Sequence, residues 1–137
     1  MGARKREMAE RLKAEKKQTA IVKLNDCPTS PRKMRLIADL VRGMDVNKAL
    51  DVLKYTKKEA SVRMYKLVVS AVNSWEQKNE EGRSDEANLF IKEIFVNQGR
   101  SLKRIRTAPQ GRAARIRKRS NHVTVVLGSK TEKTVEE

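Results

Sequence analysis

A single cysteine, Cys27, leaves no internal disulfide framework and no cysteine-based zinc centre, since structural zinc needs four converging ligands. A single histidine, His122, has no second imidazole or thiol with which to share a metal. It reads instead as a strand histidine that makes one hydrogen bond or touches a phosphate, and no metal site is expected. No apolar run approaches the roughly 18 residues of a membrane-spanning helix. No charged-then-apolar leader with a cleavage site stands at the start either, so the expected compartment is the cytoplasm, with no membrane partner. Paired carboxylates, glycine-rich phosphate loops and nucleophile motifs are missing, which argues against an enzyme, a cofactor and a small-molecule substrate. Aromatic side chains make up only 4% of the chain and none follows Phe95. Stacking platforms for single-stranded RNA are therefore not expected, and Trp75, Phe90 and Phe95 are assigned to the core.

Positive charge is what the chain has in abundance. The 32 Lys and Arg against 17 Asp and Glu leave a formal charge of +15 and a pI near 10.3. A molecule so charged repels itself and calls for a polyanionic partner, nucleic acid first. The excess is local: residues 94–131 hold ten Lys or Arg and no acid, whereas residues 21–93 set fourteen cations against eleven anions.

At 137 residues the chain supports one domain with a modest core. Residues 1–18 carry one thin apolar pair, Met8 and Leu12, and read as a basic arm that orders only against a partner. A short strand is expected over 19–24, halted by Asn25-Asp26 and Pro28. Ser30-Pro31 marks a helix start, with the serine as cap and the proline at the first helical position, and Gly43 marks its stop. Asp45 is placed to cap a second helix in which Val46, Ala49, Leu50 and Leu53 share one face. A third, over 57–78, aligns Ala60, Met64, Leu67, Val68, Ala71, Val72 and Trp75. After a polar, acid-leaning loop over 79–86 comes a strand over 87–97, read as buried on most of both faces. A matching strand follows over 122–127, and a polar, disordered tail over 128–137.

Between those two strands the chain has almost nothing apolar to pack. Arms of about 11 residues at ~3.3 Å each would reach roughly 35 Å, well beyond the sheet of a small domain. An isolated ribbon is marginal in water, so this one is expected to project and to be held by what surrounds it. Arg100, Lys103, Arg104, Arg106, Arg112, Arg115, Arg117, Lys118 and Arg119 place cations on both arms and both faces, mostly as arginine, which grips phosphate bidentately. Pro109-Gln110-Gly111 supplies the turn, and Ala108, Ala113 and Ala114 keep the tip slim. Arg32, Lys33, Arg35 and Arg42 add a second basic surface beside the start of the first helix, where Arg32 and Lys33 at least are expected to face RNA. A DNA-bending role for the same ribbon would require a dimer and wedge residues at the tip, and Ala108-Pro109-Gln110 offers one weak wedge.

The run from Ser30 to Gly43, followed by Val46-x-x-Ala49-Leu50-x-x-Leu53, resembles the family of universal large-subunit ribosomal protein number twenty-two. So do Lys103-Arg104-Ile105-Arg106, Gln110-Gly111-Arg112-Ala113 and the stretch from Arg115 through His122 to Val125. The resemblance implies an α+β fold: a small three-stranded antiparallel sheet packed on three helices, with a long protruding β-hairpin over 98–121, all within one domain spanning 19–127. It further implies a monomer in the large subunit that binds ribosomal RNA through the cations above and His122, abuts neighbouring ribosomal proteins near the tunnel exit and assists assembly. By the same resemblance Thr107, Ala108, Pro109, Gln110 and Gly111 line the nascent-peptide tunnel.

Overall fold

The structure is a computed structural model, which describes residues 3–79 and 88–129, the side chains of 15–18 excepted. The expected loop past Asn79 and the tail from residue 130 lie outside the described residues. The elements run α1 (Ala3–Gln18), β1 (Ile21–Cys27), α2 (Pro31–Val41), α3 (Val46–Tyr55), α4 (Glu59–Lys78), β2 (Leu89–Thr107) and β3 (Ala113–Ser129). The fold is α+β, and its three strands form one antiparallel sheet in the order β1-β3-β2. Helices α2, α3 and α4 pack on the sheet, while residues 3–14 of α1, Met8 and Leu12 among them, are exposed.

The core follows from helical spacing. Met34, Ile37, Ala38 and Val41 of α2 are buried at i, i+3, i+4 and i+7, and Val46, Ala49 and Leu53 repeat the pattern on α3. Along α4, Met64, Leu67, Val68, Ala71 and Trp75 are buried, with Val72 half-buried at their edge. At about 1.5–3 kcal/mol for each large apolar side chain withdrawn from water, this stripe is what holds α4 to the sheet. The caps differ from expectation. Ser30 and Asp45 occupy the N-cap positions, but neither side chain makes the capping hydrogen bond; their carbonyls accept from Met34 and Ala49, and the Asp45 carboxylate pairs with Lys48 at 3.6 Å. Pro31 at the first position and Gly43 at φ 75° bound α2 as expected.

Strand β2 corrects a second expectation. Leu89 and Ile91 are buried, then a bulge at Ile91/Glu93 shifts the register, and Ile94 and Val96 become the buried pair. The strand is thus buried on one face only. Phe95, assigned to the core, is 49% exposed on the other face, and Phe90 is half-buried across from Gly128. Strand β3 continues through Gly128 and Ser129, both buried, so these two residues belong to the sheet and not to a tail.

The outer edge of β2 is closed. Gly43 donates to the carbonyl of Ile91, Ile91 donates to the carbonyl of Met44, Arg42 donates to Ile94 at 3.3 Å, and Arg35 donates twice to Val96 at 3.2 and 3.3 Å. An open strand edge invites pairing with other chains, and these contacts occupy it over the body of the sheet.

Candidate nucleic-acid interface

The hairpin is not a separate ribbon inserted between two body strands; it is the same β2 and β3 prolonged beyond the core. Pairing runs unbroken in kind from Leu89↔Ser129 to Thr107↔Ala113, with a second bulge between Gln98 and Ser101. No residue from 98 to 120 is buried. The tip closes where Ala108 donates to the carbonyl of Arg112 at 2.9 Å, across a turn with Gln110 at φ 61° and Gly111 at φ 69°. Glycine takes the left-handed region freely, whereas Gln110 holds it at a cost of about 1 kcal/mol.

Strand alternation assigns each cation a face. Asn121 is fully buried on the helix side of the sheet, where its amide donates to both the carbonyl and the hydroxyl of Thr29 at 2.7 Å. β3 continues from it without a bulge of its own, so Arg119, Arg117 and Arg115 prolong that side, with Lys103 joining them opposite Arg117. Lys118, Arg104 and Arg106 fall on the open side, together with the apolar Leu102 and Ile116. Arg100 sits in the bulge and Arg112 in the tip turn. All nine are exposed, and among the described residues none has an acidic partner within ion-pair distance.

The two basic surfaces expected from the sequence meet on the helix side. Arg32 and Arg35, at the start of α2, share with Gln98 and Arg119 a recess of about 330 Å³ also lined by Ser30 and Pro31. Three guanidinium groups beside the start of a helix thus surround one space, an arrangement suited to a phosphate. Lys33 is exposed on α2 without lining this recess, and Arg35 divides its guanidinium between the recess and the carbonyl of Val96. Arg42 is spent on Ile94 and on Asp39, 2.8 Å away. His122 makes the single hydrogen bond expected of it: Nδ1 accepts from the backbone N–H of Asp26 at 3.0 Å.

Sequence reasoning overlooked two open-face features. Phe95 is one, and its signal was the polar pair Lys92-Glu93, which breaks strict alternation. The other is Asp26, whose φ of 52° sits in the β1 bulge between Leu24 and Cys27 and brings a carboxylate beside the root of the ribbon.

Among the described residues no group of three metal-ligating side chains occurs, and no helix is long and apolar enough to cross a membrane. Residues 22–128 match the family model described as ribosomal protein L22p/L17e. The chain is similar to proteins named large ribosomal subunit protein uL22 from several bacteria. It is 66% identical to that of Christiangramia forsetii over 129 residues, which cover 94% of this chain and 96% of the relative. It is 58% identical to that of Porphyromonas gingivalis (93% and 94% covered) and 56% identical to that of Bacteroides fragilis (96% of each).

Proposed function

Because the chain belongs to the ribosomal protein L22p/L17e family, we propose that its ribbon and the α2 recess bind large-subunit ribosomal RNA, help to assemble it, and bring the tip to the wall of the nascent-peptide tunnel. The chain is a structural constituent of the large ribosomal subunit in the cytoplasm, and not an enzyme. One observation carries the RNA reading: nine exposed cations on a ribbon with no core of its own, with Lys103 and Arg117 placed directly opposite each other. Like charges facing across a ribbon are destabilising, a cost that surrounding polyanion relieves. Cations on both faces and the α2 recess hold phosphates, with the exposed Leu102 and Ile116 on the open face and Ile105 on the helix side set among them. Thr107, in the last cross-strand pair, and the turn from Ala108 to Gly111 form the tunnel-lining tip, and the helical body meets neighbouring ribosomal proteins near the exit as a monomer.

The reading is tested by titrating the isolated chain with large-subunit RNA at several salt concentrations. About eight phosphate contacts at 0.7–0.9 each predict a log–log slope of roughly −6 to −7. A nearly flat response would sink the proposal.

A further inference from the structure

Beside these cationic surfaces, the open side of the sheet holds a groove of about 660 Å³ at the root of the ribbon, where the β1 bulge meets the β2 bulge. Its make-up is unlike theirs. Leu102, 52% exposed, and Pro28 give it apolar walls; Arg100, Lys118 and Arg119 surround it with charge; and Asp26 and His122 complete it. A site for phosphate alone would gain nothing from a carboxylate or from apolar walls.

We propose that this groove takes one unpaired nucleotide of the ribosomal RNA, its base lying against Leu102 and Pro28 and its Watson–Crick edge meeting Asp26 and His122. The inference rests on the RNA-binding reading above and adds base recognition to it. The His122 ring accepts from the Asp26 N–H at Nδ1, which leaves the proton of the neutral ring on Nε2. Nε2 stands 3.9 Å from Asp26 Oδ1, too far for a hydrogen bond between them. A donor and an acceptor are therefore held side by side with neither consumed by the other. Every nucleobase presents a donor next to an acceptor on its Watson–Crick edge, an edge that is available only when the base is unpaired. The groove thus selects an unpaired base over a paired one and does not select one letter. The backbone supports this geometry: the left-handed Asp26 aims its own N–H at His122, and Gly99 leaves the ring room, since a Cβ there would lie 3.0 Å from Nε2. Arg100 and Lys118 receive the phosphates on either side of the extruded base.

The test uses large subunits carrying a tagged wild-type chain, Asp26→Asn or Leu102→Ala, probed with dimethyl sulfate and a carbodiimide, which together attack the Watson–Crick nitrogens of all four bases. Asparagine tolerates the left-handed region and keeps the backbone N–H, so Asp26→Asn removes the charge and replaces one acceptor oxygen by a donor without moving the backbone; Leu102 lies outside the core. One nucleotide guarded by the wild-type chain should gain about fivefold in reactivity or more in both variants, as partial loss of a bidentate base contact implies. Identical patterns in the three subunits would overturn the groove, and so would a folded Asp26→Asn chain that is excluded from subunits, because one base contact among nine cations cannot decide incorporation. With the steep salt dependence intact, either result removes the groove alone; a flat salt response removes the RNA reading beneath it.

Discussion

Gly99 lies in the β2 bulge at the root of the ribbon, close against Ser120 of β3. A Cβ there would lie 2.6 Å from the hydroxyl of Ser120, which donates to the carbonyl of Arg100 at 2.7 Å, and 3.3 Å from the Ser120 carbonyl carbon. Gly99→Ala should therefore expel that hydroxyl from its bond and cost about 1 kcal/mol in urea unfolding. Ser120→Ala alone removes only an exposed hydrogen bond. The double variant should recover part of the loss, because with the oxygen gone the new methyl finds space; strictly additive costs would show that the backbone, and not the hydroxyl, is the obstacle. At this scale the sequence was legible for charge and opaque for contact. That Arg35 and Arg119 are basic could be read directly, but that Arg35 reaches across 61 positions to the carbonyl of Val96 depends on how α2 lies along the sheet edge, which no local pattern encodes.

Among the elements, the hairpin shows most clearly a conflict between stability and function. Replacing Lys103 with glutamate places opposite charges across from each other at the Lys103↔Arg117 pair, so Lys103→Glu should strengthen the free ribbon by about 0.2–1 kcal/mol. Hydrogen exchange of ribbon amides would register that as slower exchange. The same variant should bind ribosomal RNA more weakly, with a salt slope smaller in magnitude by about one; tighter binding would contradict the view that the opposed cations exist for the polyanion. The helices were legible because three buried stripes at helical spacing admit one interpretation. β2 was legible in place but not in facing, since a bulge costs one residue of register and exchanges the two faces from there on. Phe95 looked like core because both faces of the strand were read as buried, and the bulge hid which single face is. The caps failed differently: Ser30 and Asp45 hold the right positions, yet backbone carbonyls do the bonding.

Taken whole, the molecule separates what folds from what binds. The buried side chains lie in β1, α2, α3, α4 and the body halves of β2 and β3, while the stretch from 98 to 120 adds none. Joining Lys103 to Lys118 by a short turn should accordingly change the unfolding free energy of the body by no more than ~0.5 kcal/mol, and the shortened chain should still co-sediment with large subunits through the α2 recess. A large loss of stability would mean that the hairpin carries part of the fold, and complete loss of incorporation would make the ribbon the principal anchor. The division was visible in the sequence as a basic stretch without acids beside a nearly neutral body. The clasp of Arg32, Arg35 and Arg119 that joins the two was not, because it brings together residues from opposite ends of the domain.

The strand order β1-β3-β2 also sets a timetable. The central strand is the last of the three to be synthesised, and β1 and β2 have no backbone ladder with each other to hold them meanwhile. Until residues 113–129 emerge there is no sheet for the helices to cover, so folding waits on the second arm of the hairpin. The body therefore closes only once both arms of the ribbon exist, and a chain interrupted before β3 presents neither a folded domain nor a ribbon to the RNA.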